Sequence, residues 1–420
     1  TYTVLKRNQE EIARRAGRAI VVKMIADRDL DRARSFADHD VIVTDNAHEI
    51  VTHPDIDIVV ELIGGQTIAK DLILEAIAHG KHVVTANKAL LANHGTEIFA
   101  AARAKGVIVA FEAAVAGGIP IIKALREGLT ANRITWIAGI INGTANFILS
   151  EMREKGLPFD QVLDQAQKLG YAEADPTYDI EGIDAAHKIT LMAAIAFGIP
   201  VQFSKVYTEG ITQLTGEDIR YAEELGYRIK LLGITKRVEK GIELRVHPTL
   251  IPVRRLIANV EGVMNAIVVK GDAVGATLYY GAGAGAEPTA SSVIADLVDV
   301  TRMQTADPMH RVPTLSFQPD LLSDTPVIPM EDVETSYYLR MQVIDKPGVM
   351  AEITRIVADN NISISAMIQK EASSDSDKVS IIMLTHLTVE KNINAAIARI
   401  ESLPVVTNKV IRIRIEELNN

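Results

Sequence analysis

The amino-acid sequence predicts an α/β protein in which a parallel sheet is followed by smaller domains. Its 420 residues exceed what one hydrophobic core usually holds, so two or three domains are expected. Over residues 19–114, runs rich in Val and Ile alternate with helix-like stretches, which is typical of parallel strands buried on both faces. Sheets of this kind bind ligands at the carboxyl ends of their strands.

The first two parts of this fold follow from different patterns. In the first part we expect helices at 67–79 and 94–105, and strands at 20–26, 57–64, 82–87 and 107–114. The middle part groups its helices before its strands, as α+β domains do. Its helices are expected at 144–155, 158–169 and 184–197, and its strands at 241–249, 263–270 and 276–281.

A Pro-containing stretch at 313–332 then predicts a linker, so the modules on either side should fold with some independence. Beyond it, the order βαββαβ predicts a ferredoxin-like sandwich. Its strands are expected at 337–345, 363–371, 379–386 and 410–417, and its helices at 348–360 and 389–402. The predicted domains are 1–115 with about 285–312, then 116–284, a linker at 313–334, and 335–420.

Composition narrows the classes of function. The net charge of −10 disfavours nucleic acid as a partner, because phosphate binding needs a basic surface. There is no apolar run of membrane-spanning length and no signal peptide, so no membrane partner is expected. The chain contains no cysteine, which fits a cytoplasmic protein. It also excludes a thiolate nucleophile and zinc sites built on cysteine.

The helix expected at 184–197 is the most informative segment for chemistry. It is apolar on nearly every face over 189–197, yet Asp184 and Lys188 are four residues apart on one stripe. An acid–base pair at the mouth of a buried helix is costly unless it is paired or functional. It is either a structural ion pair or a lysine that donates a proton to a carbonyl oxygen and is oriented by Asp184.

An acidic stretch directly precedes this helix. Residues 170–184 contain no basic residue and five carboxylates, on Glu173, Asp175, Asp179, Glu181 and Asp184. Such loops are usually solvated surface, and the calcium pattern of an EF-hand is absent. Next to a buried Asp–Lys pair, one or two of these carboxylates would instead suffice to hold a substrate ammonium group.

Three further motifs lie where a cofactor or substrate would bind to the sheet. Asn87 and Lys88 end a predicted strand, although a lysine there is often only a solvated cap. Glu112 and the glycine pair of 111–120 form either a tight turn or a loop that offers backbone atoms to an ion or phosphate. The Gly-rich stretch 281–290 lets the backbone approach either a ligand or a crossing chain.

One expected motif is missing. No G-x-G-x-x-G loop follows a first strand, although the helix expected at 1–16 stands where the helix of that motif should be. We expect that this strand and loop precede Thr1 in the complete protein, because dinucleotide binding would be impaired without them. After the strand ending near Ala26, Asp27 favours NAD and Arg28 favours the 2′-phosphate of NADP. The expected cofactor is NAD(P), with a preference for NADP.

Taken in order, these motifs resemble those of the homoserine dehydrogenase family over essentially the whole chain. The matching blocks are ELIGG (61–65), TANKAL (85–90), FEAAVAGGIP (111–120), GIINGT (139–144), GYAEADPT (170–177), GIDAAHK (182–188) and GAGAGAEPTA (281–290). The resemblance implies NAD(P)-dependent interconversion of L-homoserine and L-aspartate 4-semialdehyde, on the route to threonine and methionine. The lack of cysteine excludes aspartate-semialdehyde dehydrogenase. The alternative is a catalytically weak amino-acid-sensing protein on the same scaffold.

The resemblance also implies roles for individual residues. Lys188 resembles the catalytic acid/base, and Lys88 a residue that contacts both cofactor and substrate. The implied substrate-binding residues are Glu173, Asp179, Asp184 and Thr144. With Arg28, the expected cofactor contacts are Lys88, Gly170, Gly285 and Glu287. The implied sodium (Na⁺) site, held largely by main-chain oxygens, consists of Glu112, Val115, Gly117 and Ile119.

The tail from about residue 337 resembles an ACT domain, a module that binds small amino acids between copies of itself. DKPGVMAEI (345–353) resembles its ligand loop, and NNISI (360–364) lies where the second strand begins. The family implies L-threonine as a feedback inhibitor and a homodimer or homotetramer. The expected regulatory residues are Asp345, Gly348 and Asn361. The alternative is a tail that only dimerises, because fold alone does not fix function.

Overall fold

A computed structural model gives the fold and describes residues 1–369 and 377–419. Within these ranges the strands are β1 (Met24–Ala26), β2 (Ile42–Thr44), β3 (Ile58–Glu61), β4 (His82–Thr85), β5 (Val109–Ala110), β6 (Ile134–Ile140), β7 (Tyr207–Thr208), β8 (Tyr227–Val238), β9 (Gly241–Pro252), β10 (Met264–Gly271), β11 (Gly275–Ala282), β12 (Glu334–Ile344), β13 (Ile364–Gln369), β14 (Lys378–Thr385), β15 (Thr388–Val389) and β16 (Ile411–Ile415).

The helices in the same ranges are α1 (Tyr2–Arg7), α2 (Gln9–Ala16), α3 (Leu30–Phe36), α4 (Ala47–Thr52), α5 (Thr67–Ala78), α6 (Lys88–Lys105), α7 (Ile121–Lys123), α8 (Gly143–Lys155), α9 (Phe159–Lys168), α10 (Thr177–Ile180), α11 (Ile183–Phe197), α12 (Gly216–Glu224), α13 (Ala286–Met303), α14 (Val349–Asp359) and α15 (Glu390–Glu401). Of the helices in the described part of the chain, none has both the length and the apolar character to cross a membrane.

The chain divides into two compact units. Unit 1 comprises Thr1–Ile137, His187–Ser204 and Asn265–Thr325, and unit 2 comprises Ala138–Ala186, Lys205–Met264 and Pro326–Asn420. Strand β6 and helix α11 each begin in one unit and end in the other. The final boundary between the units falls inside the stretch that the sequence predicts to be a linker.

Unit 1 contains the four predicted parallel strands as β1, β3, β4 and β5, together with β2, which the sequence pattern does not predict, and these five form two sheets. Strand β1 pairs with β2, and β3, β4 and β5 form a second sheet, all with parallel pairing. A cavity of about 530 Å³ is lined by β1 on one side and β3 on the other. In a Rossmann sheet with strand order 3-2-1-4-5-6, a further strand lies at this position, which no strand of the described residues occupies. Residues 20–23 of the first predicted strand line this cavity, and only β1 forms regular strand.

Helix α13 joins the N-terminal helices to the β3–β5 sheet within unit 1. Successive turns present one apolar stripe to α1 and α2 and another to β4 and β5, as the helical period of 3.6 allows. The first stripe consists of Ala290, Ile294 and Val298. The second consists of Val293, Leu297 and Val300. Residues 286–303 therefore pack with the N-terminal part of the chain.

Unit 2 is built on a mixed sheet with strand order β8-β9-β16-β12-β14-β13. Strands β8 and β9 form an antiparallel hairpin of 12 residues each. The sequence pattern predicts β9 but not β8, because Lys230 and Gly233 interrupt the apolar run of β8. Lys230 is nevertheless 1% exposed, and its ammonium group donates to the carbonyl of Val260 at 2.6 Å.

The predicted ferredoxin-like sandwich at the C-terminus is confirmed. Its strands β12, β13, β14 and β16 pair antiparallel in the order β16-β12-β14-β13, and α14 and α15 pack on them. Its core includes Tyr337, Ile353, Met383 and Ile393. The last two residues of the strand predicted at 363–371 lie outside the described residues.

This C-terminal domain shares its sheet with the rest of unit 2. Strand β16 pairs in parallel with β9, with Arg414 opposite Thr249. Arg245 of β9, which is 1% exposed, donates to Glu416 at 2.6 Å. Strand β16 therefore joins the C-terminal module to the rest of unit 2, and its folding with some independence stays a prediction. Removing that module would expose an edge of β9 and leave the buried Arg245 with one of its two carboxylates, Glu243 at 2.8 Å.

Candidate active site

A polar cluster lies at the carboxyl ends of β3 and β4 in unit 1. Glu61 is 4% exposed, and its carboxylate accepts from the hydroxyl of Thr85 at 2.6 Å and the amide of Gly64 at 3.0 Å. The side chain of Asn87 donates to the carbonyl of Gly65 at 2.7 Å. These contacts fix the loop after β3 beside the start of α6, at the edge where a parallel sheet binds its cofactor.

The predicted cofactor residues Lys88 and Arg28 both follow strands of unit 1. Asn87 caps α6 with its side-chain oxygen, so Lys88 is the first helical residue, and it is partly buried. Asp27 and Arg28 are exposed after β1, and the carboxylate of Asp27 accepts from the amide of Asp29 at 2.9 Å. The two side chains that would distinguish NAD from NADP are thus accessible at the end of β1.

The side chain of Glu112 is occupied by backbone amides. Its two carboxylate oxygens accept from Ile122 and Lys123 at 2.9 and 2.7 Å, and its own amide donates to Asp296 at 2.7 Å. Burial raises the pKa of Glu112 to about 7, and burial together with the charge of Glu112 raises the pKa of Asp296 to about 8. Glu112 can therefore offer a cation its main-chain carbonyl, while its carboxylate caps α7.

Residues 115–119 form a tight turn against the Gly-rich loop in unit 1. Ala116 and Gly117 adopt left-handed φ values of 57° and 54°. A Cβ atom at Gly117 would lie 2.5 Å from the carbonyl oxygen of Gly283, and one at Gly283 would overlap the side-chain amide of Asn265. The sequence left open whether the glycines of 281–290 admit a ligand or a crossing chain, and Gly283 admits a crossing chain. For 111–120 it left open a tight turn or a loop that meets an ion, and Gly117 lies in a tight turn.

The predicted sodium ligands fit an ion held by main-chain oxygens. The carbonyls of Glu112 and Ile119 accept from backbone amides at 3.3 and 2.7 Å, and that of Gly117 accepts from the hydroxyl of Ser292 at 2.6 Å. A carbonyl oxygen has two lone pairs, so each of these retains one for a cation. Val115, the fourth predicted ligand, is fully buried in the same turn.

Glu287, predicted to contact the cofactor, is paired with Arg7. Two guanidinium nitrogens of Arg7 donate to its carboxylate at 2.7 and 3.3 Å, and this contact lowers the pKa of Glu287. Both side chains are more than half exposed, so the pair contributes little to stability. Gly285, with a φ of 117°, directly precedes α13.

Helix α11 carries Asp184 in its first turn and Lys188 one turn later. Their exposed fractions are 7% and 8%. Over 189–197 the helix is buried and, apart from Thr190, apolar, as predicted, including Ile189, Met192 and Ile195. Ionisable groups in such surroundings are retained where they are paired or functional.

In unit 2, one amide holds two of the predicted substrate carboxylates. Asn142 is 4% exposed, and its side-chain nitrogen donates to Asp179 at 2.7 Å and to Asp184 at 2.9 Å. Its side-chain oxygen accepts from the amide of Ala145 at 2.7 Å and caps α8, which fixes the orientation of the amide. An ammonium group that binds here would meet two neighbouring negative charges.

The other carboxylates of the acidic stretch differ in their surroundings. Asp175 accepts from the amide and hydroxyl of Thr177 at 3.1 and 2.6 Å, so it orders the start of α10. Glu181 accepts from the hydroxyl of Thr212 at 3.3 Å. Glu173 is exposed. Its carboxylate therefore remains the one to test as a surface ligand for substrate.

Thr144 and Gly170 hold the base of this acidic loop. The hydroxyl of Thr144 donates to the carbonyl of Tyr171 at 2.6 Å. Gly170 follows α9 with a φ of 75°, where glycine is favoured, and the amide of Tyr171 donates back to Ala166 at 2.9 Å. Both residues have a structural role here, and their predicted contacts with substrate and cofactor stay predictions.

The predicted regulatory residues lie at opposite ends of α14. Asp345 and Gly348 precede the helix, Asn361 follows it, and all three are exposed. Gly348 and Asn361 have left-handed φ values of 93° and 56°. Because α14 has 11 residues, it is roughly 16 Å long, too long for one small amino acid to touch both ends. A shared ligand would have to lie between two copies of the domain.

Comparison with known proteins gives the same family along the chain. Three family profiles match: the NAD binding domain of homoserine dehydrogenase at residues 1–112, homoserine dehydrogenase at 120–298, and the ACT domain at 337–405. A homoserine dehydrogenase of Pseudomonas aeruginosa is 63% identical over 420 residues, covering 100% of this chain and 96% of that protein. One of Neisseria gonorrhoeae is 58% identical, with coverages of 99% and 95%.

Solved structures that are similar to this chain also include homoserine dehydrogenases. A homoserine dehydrogenase from Thiobacillus denitrificans is similar with a TM-score of 0.95 and 69% identity, covering 99% of this chain and 95% of that one. A hyperthermophilic archaeal homoserine dehydrogenase in complex with NADPH is similar with a TM-score of 0.54 and 28% identity, covering 62% and 76%.

The NAD binding domain profile on the parallel strands of unit 1 and the full-length relatives define an oxidoreductase with an NAD-binding domain, which carries a C-terminal ACT domain. Its substrate class follows from the matching middle region and from relatives that match over the full chain. The chain belongs to the homoserine dehydrogenase family.

Proposed function

We propose that this chain catalyses L-homoserine + NAD(P)⁺ ⇌ L-aspartate 4-semialdehyde + NAD(P)H + H⁺, in the cytoplasmic synthesis of threonine and methionine. The observation that carries the proposal is the pair of carboxylates, Asp179 and Asp184, held on the amide of Asn142. An amino acid that reacts at the end of its side chain needs an anionic site for its ammonium group. It also needs a proton-transfer group for its hydroxyl, and α11 carries Lys188 one turn after Asp184.

The proposed reaction gives a role to each of the predicted catalytic and substrate-binding residues. Lys188 accepts the proton of the C4 hydroxyl during oxidation and returns it to the aldehyde oxygen in the reverse direction. When bound, the cofactor would supply the acceptor for the hydride that leaves C4. Asp179 and Asp184 bind the substrate ammonium group with Glu173, and Lys88 contacts both substrate and cofactor. Burial of Asp184 and Lys188 strengthens their electrostatic interactions with substrate.

Glu173→Gln should raise the KM for homoserine roughly tenfold, because it removes a charge that pairs with the substrate ammonium group. The KM for the cofactor should change less. Steady-state kinetics with each substrate varied separately measure both. Asp164→Asn is the matched control, since Asp164 is also exposed and pairs only locally, with Lys168 four residues later. An unchanged homoserine KM in Glu173→Gln would make the loop ordinary solvated surface.

We propose NADP as the preferred cofactor. Arg28 is exposed at the end of β1, where it is available to a 2′-phosphate. The carboxylate of Asp27 already accepts a hydrogen bond from the backbone amide of Asp29. The archaeal relative solved with NADPH supports the same choice. The backbone of Gly64 and Gly65 is open, since a Cβ atom at either would meet nothing within 4 Å, so this loop fits the close approach of a dinucleotide.

The same proposal includes a sodium ion on the main-chain oxygens of Glu112, Val115, Gly117 and Ile119. Because neutral carbonyl oxygens add little binding energy for the second charge of a divalent ion, activity should depend on Na⁺ or K⁺ and resist EDTA. Gly117→Ala should reduce the activation, since its Cβ would lie 2.5 Å from the carbonyl of Gly283. Gly128→Ala, whose Cβ would meet nothing within 4 Å, is the control. Activity abolished by EDTA would refute the assignment.

For regulation, the proposal takes L-threonine as an inhibitor that binds between two ACT domains. The separation of Gly348 and Asn361 by the length of α14 supports a site shared by two copies. Such a site requires a homodimer or a homotetramer. The matching ACT profile supports the presence of this module.

A further inference from the structure

A buried arginine of the ACT domain contacts a carboxylate from another part of unit 2. Arg414 on β16 is 0% exposed. Its guanidinium group donates to Glu390 at 2.9 Å, to Glu209 at 2.9 Å and to the hydroxyl of Tyr207 at 3.1 Å. Glu390 belongs to the ACT domain, whereas Glu209 follows β7, which pairs in parallel with β9. Arg414 therefore joins the ACT domain to the segment after β7.

The backbone beside Glu209 supports the segment that bears Asp179. The amide of Ile211 donates to the carbonyl of Ile180 at 2.8 Å. A Cβ atom at Gly210 would overlap the same carbonyl, so the two backbones are in direct contact. Because Ile180 directly follows Asp179, a displacement of the segment after β7 would move this carboxylate.

We propose that Arg414 is a positioning residue for substrate binding. Through Glu209 it holds the segment after β7 against Ile180. In this way it keeps the carboxylate of Asp179 beside that of Asp184. The proposal rests on the proposed function, because it takes Asp179 as a ligand of the substrate ammonium group. Homoserine binding then depends on a side chain of the ACT domain even when no effector is present.

The surrounding charges allow this link to be tested without leaving a buried charge unpaired. Arg412, two residues earlier on the same face of β16, also donates to Glu209, at 3.2 Å. Glu390 accepts from the hydroxyl of Tyr337 at 2.7 Å as well as from Arg414. When Glu209 is neutralised, Arg414 remains paired with Glu390. The large penalty of an isolated buried charge is thereby avoided.

Glu209→Gln should raise the KM for homoserine roughly fivefold, within the usual range for coupling through packed contacts, while kcat and the cofactor KM change less than about twofold. Arg414→Lys should act in the same direction, because an ammonium group cannot engage both carboxylates and the tyrosine hydroxyl in a fixed fork. The control is Glu217→Gln. Glu217 is 35% exposed, against 30% for Glu209, and joins another ACT-domain arginine, Arg340, to α12 at 2.9 Å.

A second variant tests the same route without changing charge. Gly210→Ala places a Cβ atom against the carbonyl of Ile180 and should also raise the homoserine KM. Gly216→Ala is its control, because a Cβ atom there would meet nothing within 4 Å. A purely structural role for Arg414 would lower Tm in Glu209→Gln and in Glu217→Gln alike, without separating their homoserine KM values.

Asp179→Asn distinguishes failure of this link from failure of the proposed function. If Asp179→Asn raises the homoserine KM but Glu209→Gln and Gly210→Ala do not, the link is wrong and the substrate assignment stands. If Asp179→Asn leaves the homoserine KM unchanged, the link through Arg414 and the assignment of Asp179 to substrate binding are both wrong. In the double variant Glu209→Gln/Asp179→Asn, the effect of the first change on KM should shrink below about twofold, whereas independent sites would give the full effect again.

Discussion

Lys188→Ala should lower kcat for homoserine oxidation by roughly 10²–10⁴-fold, the usual contribution of a general acid/base. Lys188 is 8% exposed on a buried helix, so water cannot readily replace its ammonium group. Asp184, one turn earlier, still binds substrate in this variant. The KM for the cofactor should therefore change little, and steady-state kinetics with both substrates varied would show a loss confined to kcat.

A second buried lysine provides the control for this variant. Lys230 is 1% exposed and pairs with Glu261 at 3.3 Å in the β8 region. Lys230→Met should lower Tm while leaving kcat within about twofold, because Lys230 has no place in the proposed chemistry. Near-normal turnover in Lys188→Ala would remove Lys188 from the mechanism. An equal loss of kcat in both variants would attribute the loss to folding.

Saturating L-threonine should weaken apparent homoserine binding roughly 5–150-fold, the usual range of coupling between two sites. Gly348→Asp should abolish this response, because its carboxylate would repel the carboxylate of the amino acid that we propose binds at this loop. The measurement is homoserine oxidation against threonine concentration, together with the oligomeric state of each variant. Removal of the whole ACT domain is a poor test, since β16 covers the edge of β9.

Backbone strain at Gly348 must be separated from the effect of charge. Its φ of 93° disfavours any side chain, although a Cβ atom there would meet nothing within 4 Å. Gly348→Ala carries the same strain without the charge and should retain part of the threonine response. If Gly348→Asp responds to threonine as fully as the unmodified chain, the effector binds elsewhere. If the unmodified chain neither responds to threonine nor binds it by calorimetry, the ACT domain serves only in assembly.

Local pattern was sufficient to predict most elements of the fold. The buried helix α11, the C-terminal βαββαβ order and four of the five parallel strands of unit 1 show in short windows of sequence, because their periodicity is local. Strand β8 was not predicted, since its apolar run is interrupted by Lys230, which is satisfied only by contacts from distant residues. The division of the parallel strands into two sheets depends on the position between β1 and β3, where no strand of the described residues lies.

The residue types of the site were predictable, but their partners were not. Asn142 joins Asp179 and Asp184 across 37 and 42 residues of sequence, and no spacing rule links them. Glu112 reaches Asp296 across 184 residues. The signal for Asn142 was its place in the GIINGT block, immediately before a helix, where asparagine is a favoured cap. The hydrogen bonds from Asn142 to the two carboxylates cannot be predicted from the sequence, because they form only in the tertiary structure.

The most direct test of the account is the reaction itself. The full chain is incubated with L-homoserine and each cofactor, NAD(P)H is followed by absorbance, and the product is identified. We expect homoserine-dependent formation of NAD(P)H, with one L-aspartate 4-semialdehyde formed per NAD(P)H. The reaction should be more efficient with NADP than with NAD. If the chain binds homoserine and NADP by calorimetry yet forms no semialdehyde, the enzymatic account is contradicted, and an amino-acid-sensing role on the same scaffold takes its place.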